Sequence, residues 1–296
     1  FIGSHLVRRL LREGYEVVVL DNFCTGRLEN LEGVLESVEV VEGDLRDAGA
    51  VEGALKGVDA VAHLAALVDV AESVEKPHLY LDVNVYGTLN LLRAARRVEV
   101  LVFASSAAVY GDPVRLPIDE EHPISPISPY GATKAAGEAL VSAYARLHGF
   151  RPVILRLFNV YGPKQSRAYA GVVTEFMRRI ARGEPPVIYG DGTQTRDFVY
   201  VDDAVEYFVR ALRDDGIRGV YNVGSGRPVS VLSLAETAAR VMGRPDLRPV
   251  FAPPRPGDIK HSVARVDRAV RDFRYEPRVT LEEGLRRTAE SLRASL

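Results

Sequence analysis

Ser128-Pro129-Tyr130-Gly131-Ala132-Thr133-Lys134 opens a long amphipathic segment that continues to about His148. Proline suits the first turn of a helix, and Ser128 stands where an N-cap residue belongs. The segment therefore predicts a helix that begins at Pro129. Tyr130 and Lys134 are four residues apart, so their side chains leave one face of that helix about one turn apart.

This spacing places an ammonium group close to a phenol. A tyrosine normally titrates near pH 10, and a cation a few ångströms away favours the phenolate. Lowering the pKa of Tyr130 to about 7 takes about 4 kcal/mol of differential interaction, which we expect from Lys134 and a cationic cofactor. The pair predicts a catalytic acid/base, with two residues on a solvated helix face as the alternative.

Short apolar strands alternate with helices on both sides of this segment. We predict strands at 15–20, 38–41, 59–64, 98–103 and 152–158. The residues that follow their carboxyl ends include Asp21, Asp44, Ala65, Ser106 and Asn159. This alternation is typical of right-handed βαβ units, and it predicts an α/β fold with a doubly wound parallel sheet. In such a sheet, ligands lie at the carboxyl ends of the strands.

The composition excludes several functional classes. With 47% hydrophobic residues, the 296-residue chain can bury a large core. Its formal net charge of -2, with no long basic run, predicts no nucleic-acid partner. No apolar run reaches the about 18 residues that a membrane helix needs, and nothing at the start resembles a signal peptide, so no membrane partner is expected.

The cysteine and histidine content is also informative. A single cysteine, Cys24, excludes an intramolecular disulfide framework and favours a cytoplasmic protein. The six histidines show no metal-ligand spacing, so we predict no metal site.

The pattern changes beyond about Gly162. Glycine, proline and arginine become frequent, and short helices are predicted at 172–182, 232–242 and 281–292. We expect a first domain at 1–161 and a smaller α/β substrate lobe at 162–296, with a segment near 198–212 that crosses back to the first domain.

Two residues near the start indicate a dinucleotide site. Gly3 would be the last glycine of a phosphate-binding turn, where it permits close packing of a helix on a strand. Asp21 closes a strand about 20 residues further on, where a carboxylate binds an adenosine ribose and repels a 2′-phosphate. NAD is therefore expected rather than NADP. The alternative for Asp21 is a strand-end aspartate that caps a turn.

A pair of hydroxyl groups, Ser105-Ser106, ends the strand that precedes Val109-Tyr110-Gly111. A hydroxyl at this strand end is placed to hydrogen-bond the oxygen that loses its proton beside Tyr130. Ser106 is thus a candidate for a catalytic and substrate-binding role, with a pair of turn serines as the alternative.

The order of these motifs resembles the extended short-chain dehydrogenase/reductases that act on nucleotide sugars, and within them the UDP-glucose 4-epimerases. The resemblance covers essentially the whole chain. In the first half it is carried by Phe1-Ile2-Gly3-Ser4-His5, Asp21-Asn22, Gly43-Asp44-Leu45, His63-Leu64-Ala65-Ala66, Asn84-Val85-Tyr86-Gly87-Thr88, Ser105-Ser106, Val109-Tyr110-Gly111, Tyr130-x-x-x-Lys134 and Arg156-x-Phe158-Asn159-x-Tyr161-Gly162-Pro163. In the second half it is carried by Gly190-Asp191-Gly192, Arg196-Asp197-Phe198, Val201-x-Asp203 and Arg255-x-Gly257-Asp258.

The resemblance implies a Rossmann-like NAD domain and a UDP-sugar substrate. Tyr130 would be the catalytic acid/base, Lys134 would tune it and hold the nicotinamide ribose, and Ser106 would bind the reacting hydroxyl. The residues implied to contact NAD are Phe1, Ile2, Gly3, Asp21, Asn22, Asp44, Leu45, Leu64, Ala65, Ala66 and Asn84, with Tyr130 and Lys134. The residues implied to contact the UDP-sugar are Asn159, Val173, Arg196, Arg255, Asp258 and Ser262, with Ser106.

The same resemblance implies further expectations. The family's first strand and first two phosphate-loop glycines would precede Phe1, so a chain that starts there is expected to bind NAD poorly and to be unstable. The helices at 84–97 and 130–148 are expected to form a homodimer interface, with burial against the sheet as the alternative. Two arginines suit a diphosphate, because guanidinium groups pair with phosphate oxygens, although surface ion pairs are again the alternative.

Members of the family differ in the fate of the keto sugar that forms when the sugar hydroxyl is oxidised. The family's dehydratases carry Asp-Glu, and its decarboxylases a glutamate, at the positions of Ala107 and Ala108. The alanines therefore predict epimerisation at C4 through a 4-keto sugar, with NAD regenerated in each cycle. Ser262 stands where a bulky residue would close the sugar pocket, so N-acetylated UDP-hexoses are expected alongside UDP-glucose and UDP-galactose.

Two other functions stay open. A UDP-glucuronate 4-epimerase needs only a compatible cation or hydroxyl near the sugar carboxylate. A catalytically silent NAD-binding scaffold or sensor would keep the same fold, although the presence of Ser106, Tyr130 and Lys134 argues against silence.

Overall fold

The computed structural model describes residues 1–165, 171–254 and 259–293. Its helices are α1 (Ile2–Arg12), α2 (Ala48–Ala54), α3 (Val70–Glu75), α4 (Pro77–Leu81), α5 (Gly87–Ala94), α6 (Pro129–His148), α7 (Val172–Ala181), α8 (Val201–Arg213), α9 (Val231–Val241), α10 (Asp267–Phe273) and α11 (Leu281–Arg293). Its strands are β1 (Val17–Asp21), β2 (Val38–Glu42), β3 (Ala60–His63), β4 (Val100–Ser106), β5 (Arg151–Leu157), β6 (Asn159–Tyr161), β7 (Val187–Tyr189), β8 (Thr195–Tyr200), β9 (Gly219–Val223), β10 (Pro228–Ser230) and β11 (Val250–Ala252). Over the described ranges, none of these helices is long and apolar enough to cross a membrane.

Parallel strands alternate with helices, which confirms the predicted α/β fold. The larger parallel sheet has the strand order β3-β4-β5-β9, and a smaller one pairs β1 with β2. In the larger sheet, Val102 lies opposite Ala62 on one side and Val153 on the other. Within the described part of the chain, the two sheets are not hydrogen-bonded to each other.

The centre of the larger sheet is buried on both faces. Nearly every residue of β4 and β5 is buried, as parallel strands covered by helices on both sides require. Along β4 the side chains alternate between two cores: Leu101 and Phe103 pack with residues of α5 and α6, whereas Val100 and Val102 pack with residues of α8. The sheet is therefore a rigid support for the residues at its carboxyl edge.

Helix α6 has the predicted boundaries. The Ser128 hydroxyl accepts a hydrogen bond from the Gly131 N–H at 3.1 Å, and Pro129 occupies the first helical position. Gly149 caps the end of the helix with a left-handed φ of 83°, and its N–H donates a hydrogen bond to the Ala145 carbonyl. Both ends are thus determined by local sequence.

Residues beyond β6 build a second lobe and also return to the first. In the lobe, β8 lies between β6 and β10, β7 pairs with β11, and α9 packs against α7 and α11. Helix α8 packs against α1, β3 and β4, and β9 extends the larger sheet beside β5. Residues 201–223 therefore lie with the first sheet, while a domain boundary between 161 and 162 stays a prediction.

Candidate active site

Several of the residues that the sequence singles out lie at the carboxyl ends of parallel strands. In the smaller sheet, Asp21 is the last residue of β1 and Asp44 follows β2. In the larger sheet, Leu64 follows β3, Ser106 ends β4 and Asn159 follows β5. Each sheet thus presents its polar residues on one edge.

Tyr130 lies in the first turn of α6, which packs against the 3₁₀ turn Ala107–Val109 that follows Ser106. A Cβ atom on Gly131 would lie 2.5 Å from the carbonyl oxygen of Ala108, so this approach requires glycine. The Ser106 hydroxyl lies close enough to the phenol of Tyr130 to lower the pKa of that phenol. The structure therefore brings these two hydroxyl groups together.

Burial determines the pKa of Tyr130 in the chain by itself. It raises the pKa of the phenol, and the nearby Ser106 hydroxyl offsets only part of that effect. The Lys134 ammonium donates to the Ala104 carbonyl oxygen at 2.8 Å. Because a phenolate is poorly solvated in a buried site, burial outweighs the other influences. The lower pKa expected from Lys134 and a cationic cofactor together stays a prediction.

Lys134 is buried together with its helix face. Only 4% of its surface is exposed, and burial lowers its pKa to about 8, against the opposing effect of Glu138. Its Nζ lies 5.2 Å from the centre of the Phe103 ring. Nearby His63 is buried and neutral, because burial lowers its pKa to about 3. Lys134 is therefore a largely protonated cation at neutral pH, one helical turn from Tyr130.

Asp21 caps the turn that follows β1, as its alternative interpretation predicts, and its contact with the adenosine ribose stays a prediction. Its Oδ1 accepts a hydrogen bond from the Phe23 N–H at 2.8 Å, and a Cβ atom on Gly26 would lie 2.9 Å from its Oδ2. Glycine at position 26 thus leaves this side of the carboxylate open, a role that sequence reasoning missed. A carboxylate here and an ammonium at Lys134 fit the adenosine ribose and the nicotinamide ribose of NAD.

Asn22 and Asp44 connect the ends of β1 and β2. The Asn22 amide donates to Asp44 Oδ2 at 2.7 Å, and Arg46 donates to both carboxylate oxygens at 2.9 and 2.8 Å. The Arg46 guanidinium holds the pKa of Asp44 well below its usual range. Leu45 is buried beside Gly87, where a Cβ atom would lie 2.8 Å from the Leu45 Cβ. The contacts of Asn22, Asp44 and Leu45 with the adenosine stay predictions.

The helix predicted at 84–97 begins differently. Residues Asp82–Tyr86 form a π-helical turn, and α5 follows it. Asn84, in this wide turn, accepts from the Leu67 N–H at 2.8 Å and donates to the Leu67 carbonyl and the Thr133 hydroxyl at 2.9 and 3.0 Å. These bonds tie the loop after β3 to α6. A positioning role explains Asn84, and its contact with NAD stays a prediction.

The remaining residues implied to contact NAD lie in two segments. Leu64, Ala65 and Ala66 form the loop that follows β3, whereas Phe1 precedes α1 and Ile2 and Gly3 begin it. A Cβ atom on Gly3 would meet no described atom within 4 Å, so no described residue makes the close approach expected there. Their contacts with NAD stay predictions.

Two of the residues implied to hold the UDP-sugar make hydrogen bonds to the backbone. The Asn159 amide donates to the Asp197 carbonyl at 3.0 Å, and Arg196 donates to the Thr195 carbonyl at 2.9 Å. Both residues lie on neighbouring strands, β6 and β8. The structure therefore places a guanidinium and an amide on adjacent strands, and their contact with a diphosphate stays a prediction.

Val173 and Ser262, two further residues implied to contact the UDP-sugar, are buried. Val173 is in the first turn of α7, and the Ser262 N–H donates to the Thr195 carbonyl at 3.0 Å. Arg255 and Asp258 lie outside the described residues. Within the described residues, no three His, Cys, Asp or Glu side chains are grouped so that they could hold a metal ion.

Sequence reasoning also missed Glu138. It lies one helical turn beyond Lys134 and is buried against β4 and β5. The signal was present, because positions 130, 134 and 138 repeat the spacing of four residues that places side chains on one helix face.

Comparisons with known proteins agree with this geometry. The model of the NAD dependent epimerase/dehydratase family matches residues 1–224. A UDP-glucose 4-epimerase of Mycolicibacterium smegmatis is 40% identical over an alignment of 300 residues, which covers 99% of this chain and 96% of that protein.

Two solved structures have the same fold over all of the chain. A UDP-glucose 4-epimerase from Thermotoga maritima with UDP-glucose is 38% identical, with a TM-score of 0.94 over 100% of this chain and 96% of that one. A UDP-N-acetylglucosamine 4-epimerase from Methanobrevibacter ruminantium in complex with UDP-N-acetylmuramic acid is 36% identical, with a TM-score of 0.95 over 100% and 96% of the two chains.

Proposed function

The chain belongs to the NAD dependent epimerase/dehydratase family, and from this membership we propose that it interconverts the C4 epimers of a UDP-hexose. It is an NAD-dependent isomerase similar to the UDP-glucose 4-epimerases. UDP-glucose and UDP-galactose are the substrates that we propose, together with their N-acetylated forms. The observation that carries this proposal is the proximity of Tyr130 to Ser106, next to two alanines where other reactions need carboxylates.

The chemistry follows from the hydroxyl pair and the buried lysine. Ser106 orients the C4 hydroxyl of the sugar, and Tyr130 Oη takes its proton as the C4–H bond breaks and C4 becomes a carbonyl. NAD, which Asp21 and Lys134 would hold by its two riboses, would supply reversible hydride transfer at C4 and a positive charge near the phenol. Tyr130 Oη then returns the proton to the C4 oxygen. Lys134 stabilises the phenolate that is present before the first proton transfer and again after the second.

The surroundings of Tyr130 support epimerisation over elimination or decarboxylation. The Ala108 methyl group packs in the small cluster that contains Tyr130, and Ala107 packs against a second cluster around Tyr110. Neither alanine can donate or accept a proton. Expelling water from the sugar needs a further acid. The reaction that remains for the 4-keto sugar is the return of hydride to C4.

The choice of sugar rests on Ser262. It is buried near Thr195, and its side chain is much smaller than the bulky residue that would close the sugar pocket. Room for an N-acetyl group at C2 is the expected consequence. Arg196, with Arg255 and Asp258, is proposed to hold the UDP part through charge-assisted hydrogen bonds.

A homodimer is proposed as the working form. Several large apolar side chains near α5 and α6 face solvent in the single chain, among them Tyr86 and Leu147, which are 59% and 73% exposed. Pairing of these helices across a two-fold axis would cover them. Sedimentation at micromolar concentration tests this, and a monomer would contradict it.

The experiment that tests the function is proton NMR of UDP-glucose and of UDP-N-acetylglucosamine, each incubated with the full-length protein and NAD. We expect galacto signals with both sugars, and none with Y130F as a matched control. If neither sugar is converted although NAD binds, the proposal is refuted and UDP-glucuronate is the next substrate to test. Failure with that sugar too would favour the NAD-binding scaffold.

A further inference from the structure

Glu138 is a carboxylate that the reaction does not use directly. It is only 8% exposed, and it follows Tyr130 and Lys134 at the same spacing along α6. The three side chains therefore form one row on the helix face that packs against the larger sheet. A carboxylate is rarely buried unless it is paired, so its partners show what it does.

Both oxygens of Glu138 are bound by residues of neighbouring strands. The Ser105 hydroxyl donates to Oε1 at 2.5 Å, and Arg156 donates to Oε1 and Oε2 at 2.9 and 2.7 Å. Ser105 precedes Ser106 on β4, whereas Arg156 lies on β5. The contacts are buried, because 3% of Ser105 and 5% of Arg156 are exposed. They connect the catalytic helix to the strand that ends in the catalytic serine.

We propose that Glu138 is a positioning residue that sets where α6 lies against β4, so that Tyr130 meets Ser106 with Lys134 protonated. This inference rests on the proposed epimerase function. The Glu138 carboxylate does not touch the sugar, and it acts through the three residues that do the chemistry. Its partner Arg156 has the same positioning role, because it holds the Glu138 carboxylate on β5.

The geometry explains why a pair of charges occupies this place. A buried ion pair adds little to folding compared with apolar residues of similar volume. However, bidentate hydrogen bonds have strict geometry, so they determine the position of the helix more closely than apolar packing does. Lys134 and Glu138 bond to consecutive residues of β4, Ala104 and Ser105. Sliding α6 along the strand would break both contacts.

The same network holds the segment that leads into α6. Arg156 also donates to the Tyr110 hydroxyl at 2.9 Å and to the Glu120 carbonyl at 3.0 Å. Tyr110 in turn donates to the Asn222 amide oxygen at 2.6 Å. Segment 110–120 precedes the N-cap of α6. It is thus attached to β5 by the Arg156 guanidinium and to β9 by the Tyr110 hydroxyl.

Glu138 also supplies negative charge to the buried row. The charged or titratable groups around Lys134 and Glu138 are Tyr130 on the same helix, His63 on β3, Arg156 on β5 and Tyr110 after β4. Of these, His63 is neutral and Arg156 is a cation, so Glu138 is the anion that favours a protonated Lys134. Removal of its charge should make the ammonium easier to deprotonate.

The test compares three changes in the full-length protein: E138Q, which removes the charge, S105A, which removes one hydrogen bond, and D203N as a control. Asp203 is a buried carboxylate of α8 that accepts hydrogen bonds from Tyr275, Arg278 and Val279, away from α6. The measurements are kcat and KM over pH, NAD affinity by calorimetry, and denaturant unfolding. A double change, E138M/R156M, restores stability if E138Q unfolds, because paired charges can be replaced by apolar residues.

We expect E138Q to lower kcat by about 10²-fold at nearly constant KM and NAD affinity, because a small misplacement of the acid/base is costly. The basic limb of its kcat profile should move about one pH unit to lower pH, since the carboxylate no longer favours the ammonium. S105A should lower kcat by about threefold to tenfold with an unmoved profile. D203N should lose stability and keep its pH profile, and E138M/R156M should regain stability while kcat stays low.

Two results would overturn the inference. One is an E138Q protein with wild-type kcat and pH profile, and the other is an E138M/R156M protein that regains both stability and full kcat. If the wild-type protein does not epimerise any of the UDP-sugars, the proposed function has failed instead.

Discussion

Replacing Gly131 by alanine should separate the placement of the catalytic helix from its chemistry. The new Cβ atom would lie 2.5 Å from the Ala108 carbonyl oxygen and 3.1 Å from the Pro126 Cβ, whereas ordinary contact begins at 3.4 Å. The start of α6 must therefore move by about 0.9 Å away from the turn that follows Ser106. Overpacking of this kind costs about 1–3 kcal/mol of stability. A displacement of about 1 Å at a catalytic group can cost about 10²-fold in rate.

The assay is kcat for UDP-glucose together with denaturant unfolding, with G53A as the matched control. Gly53 lies in α2, and a Cβ atom there meets nothing within 4 Å. Alanine should stabilise that helix by about 0.5–1 kcal/mol and leave kcat unchanged. A G131A protein with wild-type kcat would refute the argument that Tyr130 depends on this close approach.

Three further predictions concern the pocket, the buried lysine and the buried histidine. S262Y should remove activity on UDP-N-acetylglucosamine and spare UDP-glucose, as measured by NMR; equal loss on both would contradict the pocket argument. K134M should lower kcat by about 10² or more and abolish the basic limb near the lysine pKa of about 8, because the ammonium that stabilises the phenolate is gone; a pH–rate profile tests this. The pKa of His63 is about 3 in the folded state, which is below its unfolded value of about 6.5, so the unfolded chain binds the extra proton. The free energy of unfolding therefore falls as the pH decreases from about 6.5 towards 3, by about 1.4 kcal/mol per pH unit. H63Q should weaken this acid sensitivity in denaturant unfolding at several pH values, and an unchanged pH dependence would refute the assignment.

The elements of the fold were predictable where local sequence determines them. The N-cap Ser128, the proline after it and Gly149 define α6 without help from distant residues, and the predicted boundaries match. Strands β3, β4 and β5 of the larger sheet were also predictable, because parallel strands buried on both faces are continuous apolar runs, whereas β9 was not predicted. The π-helical turn at 82–86 was not, since only the buried bonds of Asn84 to Leu67 and Thr133 explain it.

The residue types of the candidate site were readable from the sequence, whereas its electrostatics were not. Spacing alone puts Tyr130 and Lys134 on one helix face, but burial decides the sign of the pKa change of the phenol, and burial depends on the tertiary fold. Glu138 and Arg156 are 18 residues apart, and only the packing of α6 on β5 makes them a pair. The need for glycine at position 26 likewise depends on the tertiary fold, because the Asp21 carboxylate lies against it.

The most direct test of the central claim is to follow the hydrogen at C4 of the sugar. UDP-glucose that carries deuterium at C4 would be incubated with the full-length protein and NAD, and the UDP-galactose formed would be analysed by NMR and mass spectrometry. Removal and return of one hydride predict that the product keeps the deuterium at C4. A product with solvent-derived hydrogen at C4 would contradict the mechanism in which Tyr130 moves the proton and the bound nicotinamide carries the hydride.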